Sequence, residues 1–111
     1  MNRCSYIDIT KEQQEMNILT HKKQLEDAAY TLKALANETR LSIVIQLAKH
    51  EEKTVSELVN DLNCEQSLLS HHLTDMRAKR ILNCRKSGKN CYYSIKDERV
   101  IQLLDCILKK C

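Results

Sequence analysis

Apolar positions along this chain recur every three or four residues for most of its length and alternate over one short stretch, a pattern that predicts helices interrupted by a hairpin. After nine residues without clear periodicity, Thr10-Lys11-Glu12-Gln13 has the form of a capping box, and Ile18, Leu25, Ala28, Ala29, Leu32 and Leu35 line the helix behind it. That helix would run over ~25 residues, more than a small domain needs, so part of its stripe is expected to face a second subunit. Asn37 is placed to cap a second helix in which Leu41, Val44, Ile45 and Ala48 repeat at core spacing. Thr54-Val55-Ser56-Glu57 is another capping box, opening a short helix that carries Val55, Leu58, Val59 and Leu62 inward. A turn at Asn63 to Glu65 leads to a fourth helix, Gln66 to about Lys79, with Leu69, Leu73 and Met76 on its inner side.

Alternation takes over next. Ile81 to Lys86 and Lys89 to Ile95 flank Ser87-Gly88 as the strands of a hairpin, with Tyr92 and Tyr93 on opposite faces. A last helix begins at Lys96-Asp97-Glu98, acidic at its start and basic at Lys109-Lys110, as the helix dipole favours. Its face of Val100, Leu103, Leu104, Ile107 and Leu108 needs cover, either from its own domain or from the first helix of a second copy. The predicted fold is mainly α with a small β-hairpin: a winged helix-turn-helix, dimeric through its first and last helices. Residues 1–10 are expected to form a flexible N-terminal segment and residues 11–111 a single domain. With no Pro and a single Gly in 111 residues, composition agrees, and Gly88 marks a sharp turn.

Charge sharpens the reading. From Gln66 to Ile95 six cations (Arg77, Lys79, Arg80, Arg85, Lys86, Lys89) stand against Asp75 alone, a net +5, whereas the whole chain is only +3 and the remainder therefore −2. Positive charge gathered in this way suits phosphate binding. Gln66, Ser67, Ser70 and His71, at the start of the fourth helix, present short polar side chains to a major groove, and Gln pairs well with adenine. Arg77 on that helix and Arg85, Lys86 and Lys89 near the hairpin tip are placed for the backbone. Double-stranded DNA is thus the expected partner. No apolar run approaches a membrane span and the start lacks a signal-peptide core, so a cytoplasmic protein without membrane contact is expected. An enzyme is not: there is no glycine-rich phosphate loop and no fixed Cys/His pair. The competing reading is a non-sensing DNA-binding regulator, or a protein-interaction module with structural cysteines.

Leu35-Ala36-Asn37-Glu38-Thr39-Arg40-Leu41, Ser70-His71-His72-Leu73 and Gly88-Lys89-Asn90-Cys91-Tyr92-Tyr93 together resemble, in kind and order, the ArsR/SmtB family of metal- and thiol-responsive bacterial repressors. The resemblance runs from about Ala28 to the C-terminus. It implies a homodimeric repressor released from its operator by an inducer, with Gln66, Ser67, Ser70 and His71 reading the major groove and His72 beside them on a position that also turns toward the protein. The effector sites fit less closely. The last helix offers Asp97, Glu98 and Asp105 but no His for the family's zinc site, and Val55 to Leu62 lacks the Cys-x-Cys of its arsenic and cadmium sensors.

Six cysteines remain. Without a signal peptide they read as reduced thiols, redox sensors or ligands for a soft thiophilic ion such as As(III), Cd(II) or Cu(I). Cys64 is expected to pack as a small hydrophobe. A two-residue Ser87-Gly88 loop would set Cys84 directly opposite Cys91, within disulfide reach. Cys106 and Cys111 lie ~8–9 Å apart on one helix, too far to bridge. Cys111 stands near a sensing position of the persulfide-responsive family members, whose partner thiol on the second helix has no counterpart in Leu41 to Leu47 here, and a Cys4–Cys111 pair would join the first and last elements. Sensing by cysteine redox, persulfide or soft-metal chemistry is the expected switch.

Overall fold

The computed structural model describes residues 21–109. Its elements run α1 (Lys22–Leu35), α2 (Glu38–His50), β1 (Glu52–Thr54), α3 (Val55–Leu62), α4 (Gln66–Ala78), β2 (Leu82–Ser87), β3 (Asn90–Ile95) and α5 (Arg99–Leu108). The Thr10 capping box, Ile18, the proposed flexible segment, Cys4, Lys110 and Cys111 lie outside the described residues.

Side-chain caps place two of the five described helix starts. Asn37 is extended and its side chain accepts from the backbone N–H of Arg40 at 3.1 Å, which starts α2. At α3 the capping box is complete: the Thr54 hydroxyl accepts from the Glu57 N–H at 3.2 Å, and the Glu57 carboxylate accepts from the Thr54 N–H at 2.8 Å. Asn63, in the left-handed region, ends α3, and Cys64 and Glu65 complete the turn into α4. α4 closes with a Schellman pattern, Ile81 N–H to Met76 C=O at 2.9 Å and Arg80 N–H to Arg77 C=O at 3.0 Å. That cap forces Arg80 to φ 64, where glycine is usual.

The core gathers Ile43, Val44 and Leu47 of α2, Leu58 of α3, Leu69, Leu73 and Met76 of α4, Ile81, Leu82 and Tyr93 around the hairpin, and Val100 and Leu104 of α5. The buried face of α2 is therefore rotated from the one the spacing predicts: Leu41 and Ile45 are only half-buried and Ala48 is exposed. The packing partners of α2 are α3, α5 and the sheet, and these tertiary contacts set its buried side at Ile43, Val44 and Leu47, leaving Leu41 and Ile45 at the margin of the core.

The hairpin gains a third strand. β1 pairs with β3 to give the antiparallel order β1-β3-β2. Three residues between a helix end and a capping box are too few to show alternation, so β1 leaves no mark in the pattern. The loop also shifts by one residue from the expected Ser87-Gly88. Ser87 pairs with Asn90, so Gly88 and Lys89 make the turn, with Gly88 at φ +60. Cys84 thus faces Tyr93 and Cys91 faces Lys86. The two cysteines are diagonal neighbours on the inner side of the hairpin, not directly opposite.

The exposed large apolar side chains of the terminal helices are Leu25, Tyr30 and Leu32 on α1 and Ile107 and Leu108 on α5. Leu104, which the sequence pattern groups with them, is only 6% exposed and belongs to the core of its own protomer.

Candidate nucleic-acid interface

α3 and α4 form a helix-turn-helix, and α4 runs through a short joint into β2, against which it packs. Recognition helix and wing thus grow from a single connection. Gln66, Ser67 and His71 are exposed in the first two turns of α4 and Ser70 is half-buried beside them. The Ser67 hydroxyl donates to the Glu65 carboxylate. Helix N-terminal residues with short polar side chains are the part of such a motif that approaches base edges.

His72 faces the other way. It is 8% exposed, and its Nδ1 accepts from Nε of Arg40 at 2.8 Å. Nη1 of Arg40 donates to Asp75 Oδ2 at 2.7 Å and to the Ala34 carbonyl at 3.0 Å, and Lys79 adds a second cation to Asp75 at 2.8 Å. One guanidinium therefore ties α4 to α2 and to the end of α1. Burial, reinforced by Arg40 and His71, lowers the His72 pKa below the usual imidazole value, with Asp75 opposing. Hydrogen bonding from Lys79, then Arg40, holds the Asp75 carboxyl below its ordinary range. A neutral imidazole is what the geometry requires, because a protonated Nδ1 has no lone pair to offer Arg40. Sequence reasoning missed this knot. The available signal was Arg40 in the first turn of α2, where the helix dipole disfavours a cation unless a partner elsewhere holds it.

Arg77 in the last turn of α4, and Lys86 and Lys89 at the tip of the wing, are exposed and pair with no carboxylate among the described residues. Arg85 is held differently. Its Nε and Nη2 donate to the Glu52 carboxylate at 3.2 and 2.7 Å, and its guanidinium lies 4.6 Å from the centre of the Tyr92 ring. The bond to Arg85 lowers the Glu52 pKa and correspondingly raises that of Arg85. Glu52 was invisible as a partner because β1 was.

Cys84 and Cys91 are joined by a disulfide across the diagonal, with Cα atoms 6.0 Å apart. Cys64 is a half-buried free thiol packed against the core, as its place in the turn predicts, and Cys106 is free and exposed on α5. Among the described residues no three His, Cys, Asp or Glu side chains cluster as metal ligands. Asp97 is engaged by Arg99 through bonds of 2.9 and 2.7 Å, and Asp105 pairs with Lys109 at 2.9 Å. No helix among the described residues is long and apolar enough to cross a membrane.

Comparison with known proteins agrees with this geometry. Residues 37–83 match the model of the bacterial regulatory proteins of the arsR family. The transcriptional repressor PagR of Bacillus anthracis is 42% identical over 86 residues, 75% of this chain and 86% of PagR, and its crystal structure superposes with a TM-score of 0.71. Reduced HlyU from Vibrio cholerae gives a TM-score of 0.73 at 34% identity, covering 82% of this chain and 98% of that one. The AntR antimony-specific transcriptional repressor gives 0.78 at 25% identity, covering 97% and 90%. With its helix-turn-helix, its wing and these relatives taken together, the chain belongs to the ArsR family of DNA-binding transcription regulators.

Proposed function

We propose that this protein is a cytoplasmic, homodimeric operator-binding repressor, that Gln66, Ser67, Ser70 and His71 read base edges, and that Arg77, Lys86 and Lys89 hold phosphates. The apolar side chains left exposed on α1 and α5 support dimerisation, since a face of that kind on terminal helices calls for a second copy to cover it. His72 acts behind the interface by holding α4 in place, and Arg85 acts by bracing the wing.

The observation that carries the sensing half of the proposal is the position of Cys84 and Cys91 inside the DNA-contacting wing. The bridge, with Cα atoms 6.0 Å apart, cross-links β2 to β3 just below the tip that carries Lys86 and Lys89, so making or breaking it changes the stiffness of the wing. Oxidation of the two thiols by a hydroperoxide forms the S–S bond; the thiols give up two protons and two electrons, and the peroxide is reduced to water and an alcohol. The bridged wing then meets the phosphates poorly and the operator is released. In the reduced state the same two thiolates suit a soft ion, a second reading that the similarity to an antimony-specific repressor favours.

Operator affinity measured for reduced, peroxide-treated, persulfide-treated and Sb(III)-treated protein tests both readings. The expected result is at least tenfold weaker binding after peroxide, abolished in the Cys84→Ser/Cys91→Ser variant and retained in Cys106→Ser and in Cys111→Ser. Release that persists without the wing pair but is lost in Cys111→Ser would move the switch to the Cys4–Cys111 pair, and release that persists in every variant would remove thiol sensing altogether.

A further inference from the structure

Six large apolar side chains are exposed among the described residues, and five of them lie on the terminal helices. The sixth is Leu68, 47% exposed, in the first turn of α4 between Ser67 and the core residue Leu69. It belongs neither to the core nor to the partly buried apolar side chains packed against the core, so it does nothing for the helix-turn-helix packing that Leu69, Leu73 and Met76 already supply. Its position removes it from the dimer face as well. We infer that Leu68 is a base-reading residue that contacts the methyl group of a thymine in the major groove.

Three physical points lead there, given the operator-binding role proposed above, on which the inference rests. Residues in the first turn of a recognition helix are the ones carried nearest to base edges, and Cα–Cβ bonds lean toward the helix N-terminus, so the Leu68 methyls project toward the end that enters the groove. A Leu side chain has no donor or acceptor and gains nothing from phosphate, from purine N7 or O6, or from exocyclic amines. The largest apolar feature that a base pair shows in the major groove is the thymine C5-methyl. Gln66 and Leu68, two residues apart, fall on opposite flanks of α4, about 200° around the axis. A polar reader suited to adenine on one flank and an apolar reader suited to thymine on the other make an A·T-rich half-site the natural target.

The test isolates one methyl group. A duplex is selected from a random-sequence pool by the reduced full-length protein, and each thymine is replaced in turn by deoxyuridine, which keeps every hydrogen bond and deletes only the methyl. For the parent protein, replacement at one position of each half-site is expected to weaken binding about three- to fivefold per half-site, the scale of one buried methyl. Leu68→Ala should weaken the unmodified duplex by a similar factor, should show no further loss on deoxyuridine at that position, and should bind random duplex as the parent does. Leu68→Met, which keeps an apolar reach, should restore the dependence, and unchanged helical circular dichroism should show that both variants fold. If every thymine has the same effect in the parent and in Leu68→Ala, or none has any, Leu68 is not a base reader although the operator-binding reading stands. If no duplex is enriched by the reduced parent protein, both fall.

Discussion

Replacing Arg40 by Ala removes one side chain and three tertiary bonds. The guanidinium donates to His72 Nδ1 at 2.8 Å, to the Ala34 carbonyl at 3.0 Å and to Asp75 Oδ2 at 2.7 Å. The Arg40 side chain is 12% exposed and that of Asp75 28%, so the ion pair is partly screened and contributes about 1 kcal/mol, near the upper end for surface pairs. Asp75 also keeps Lys79. The bonds to His72 and to the carbonyl involve a charged donor and buried acceptors, which lose about 1–1.5 kcal/mol each when left unpaired. The sum is a loss of about 3–4 kcal/mol, a large part of the roughly 5–15 kcal/mol that holds a small domain together. Arg40→Lys, which keeps the charge but not the fork, should lose about half as much. Urea denaturation at one fixed protomer concentration reads this as a lower midpoint with an unchanged slope. A loss below about 1 kcal/mol for Arg40→Ala would refute the view that this knot holds the recognition helix in place.

The same knot predicts a pH dependence. Because the His72 pKa is lowered in the fold, the unfolded chain takes up the proton first, and stability should fall as pH drops below about 6.5 toward the lower folded value. Asp75, lowered from 3.8, stays ionised throughout that window and adds no slope; urea midpoints at pH 7.5 and 5.5 should differ less in His72→Gln than in the parent, and equal differences would count against the neutral imidazole. Ile107→Asp, at a side chain 65% exposed in the protomer, should give folded monomers by sedimentation, whereas Leu104→Asp should unfold the chain; a stable dimer carrying Ile107→Asp would move the interface elsewhere. Lys86→Ala/Lys89→Ala should weaken specific and random duplex alike and flatten the salt dependence by about 2 per protomer, and an unchanged slope would take the wing off the phosphates.

Much of the architecture was legible because its signals are local. Asn37, Thr54 with Glu57, and Asn63 each set a helix end through their own neighbours, and those ends fall where the pattern places them. Tyr92 and Tyr93 divide between the two faces as strand alternation requires, with Tyr93 buried. What was missed depends on residues far apart in sequence. Arg40 and His72 are 32 positions apart, Arg85 and Glu52 are 33, and neither pair shows a spacing that periodicity can register. The hairpin loop was misplaced by one residue because the place of Gly88 within the turn decides it: a glycine at positive φ belongs at the first loop position, which Gly88-Lys89 supplies and Ser87-Gly88 does not. That single step changed the partner of every strand residue, including both cysteines.

Among the described residues, the order β1-β3-β2 leaves the outer side of β2 without a partner strand, with a row of backbone donors and acceptors along it. Such an edge invites another chain to add to it, and a folded protein that must accumulate in the cell has to discourage that. Arg85 and Lys86 lie on this edge, and Lys89 lies at the turn beside it. Lys86 and Lys89 therefore discourage strand addition at this edge, whereas Arg85 leans across Tyr92 to Glu52 on β1, away from it. Given the phosphate-binding role proposed for Lys86 and Lys89, stripping the wing of charge to weaken DNA binding would at the same time uncover a template for aggregation, so that solubility and operator affinity would constrain the same few side chains.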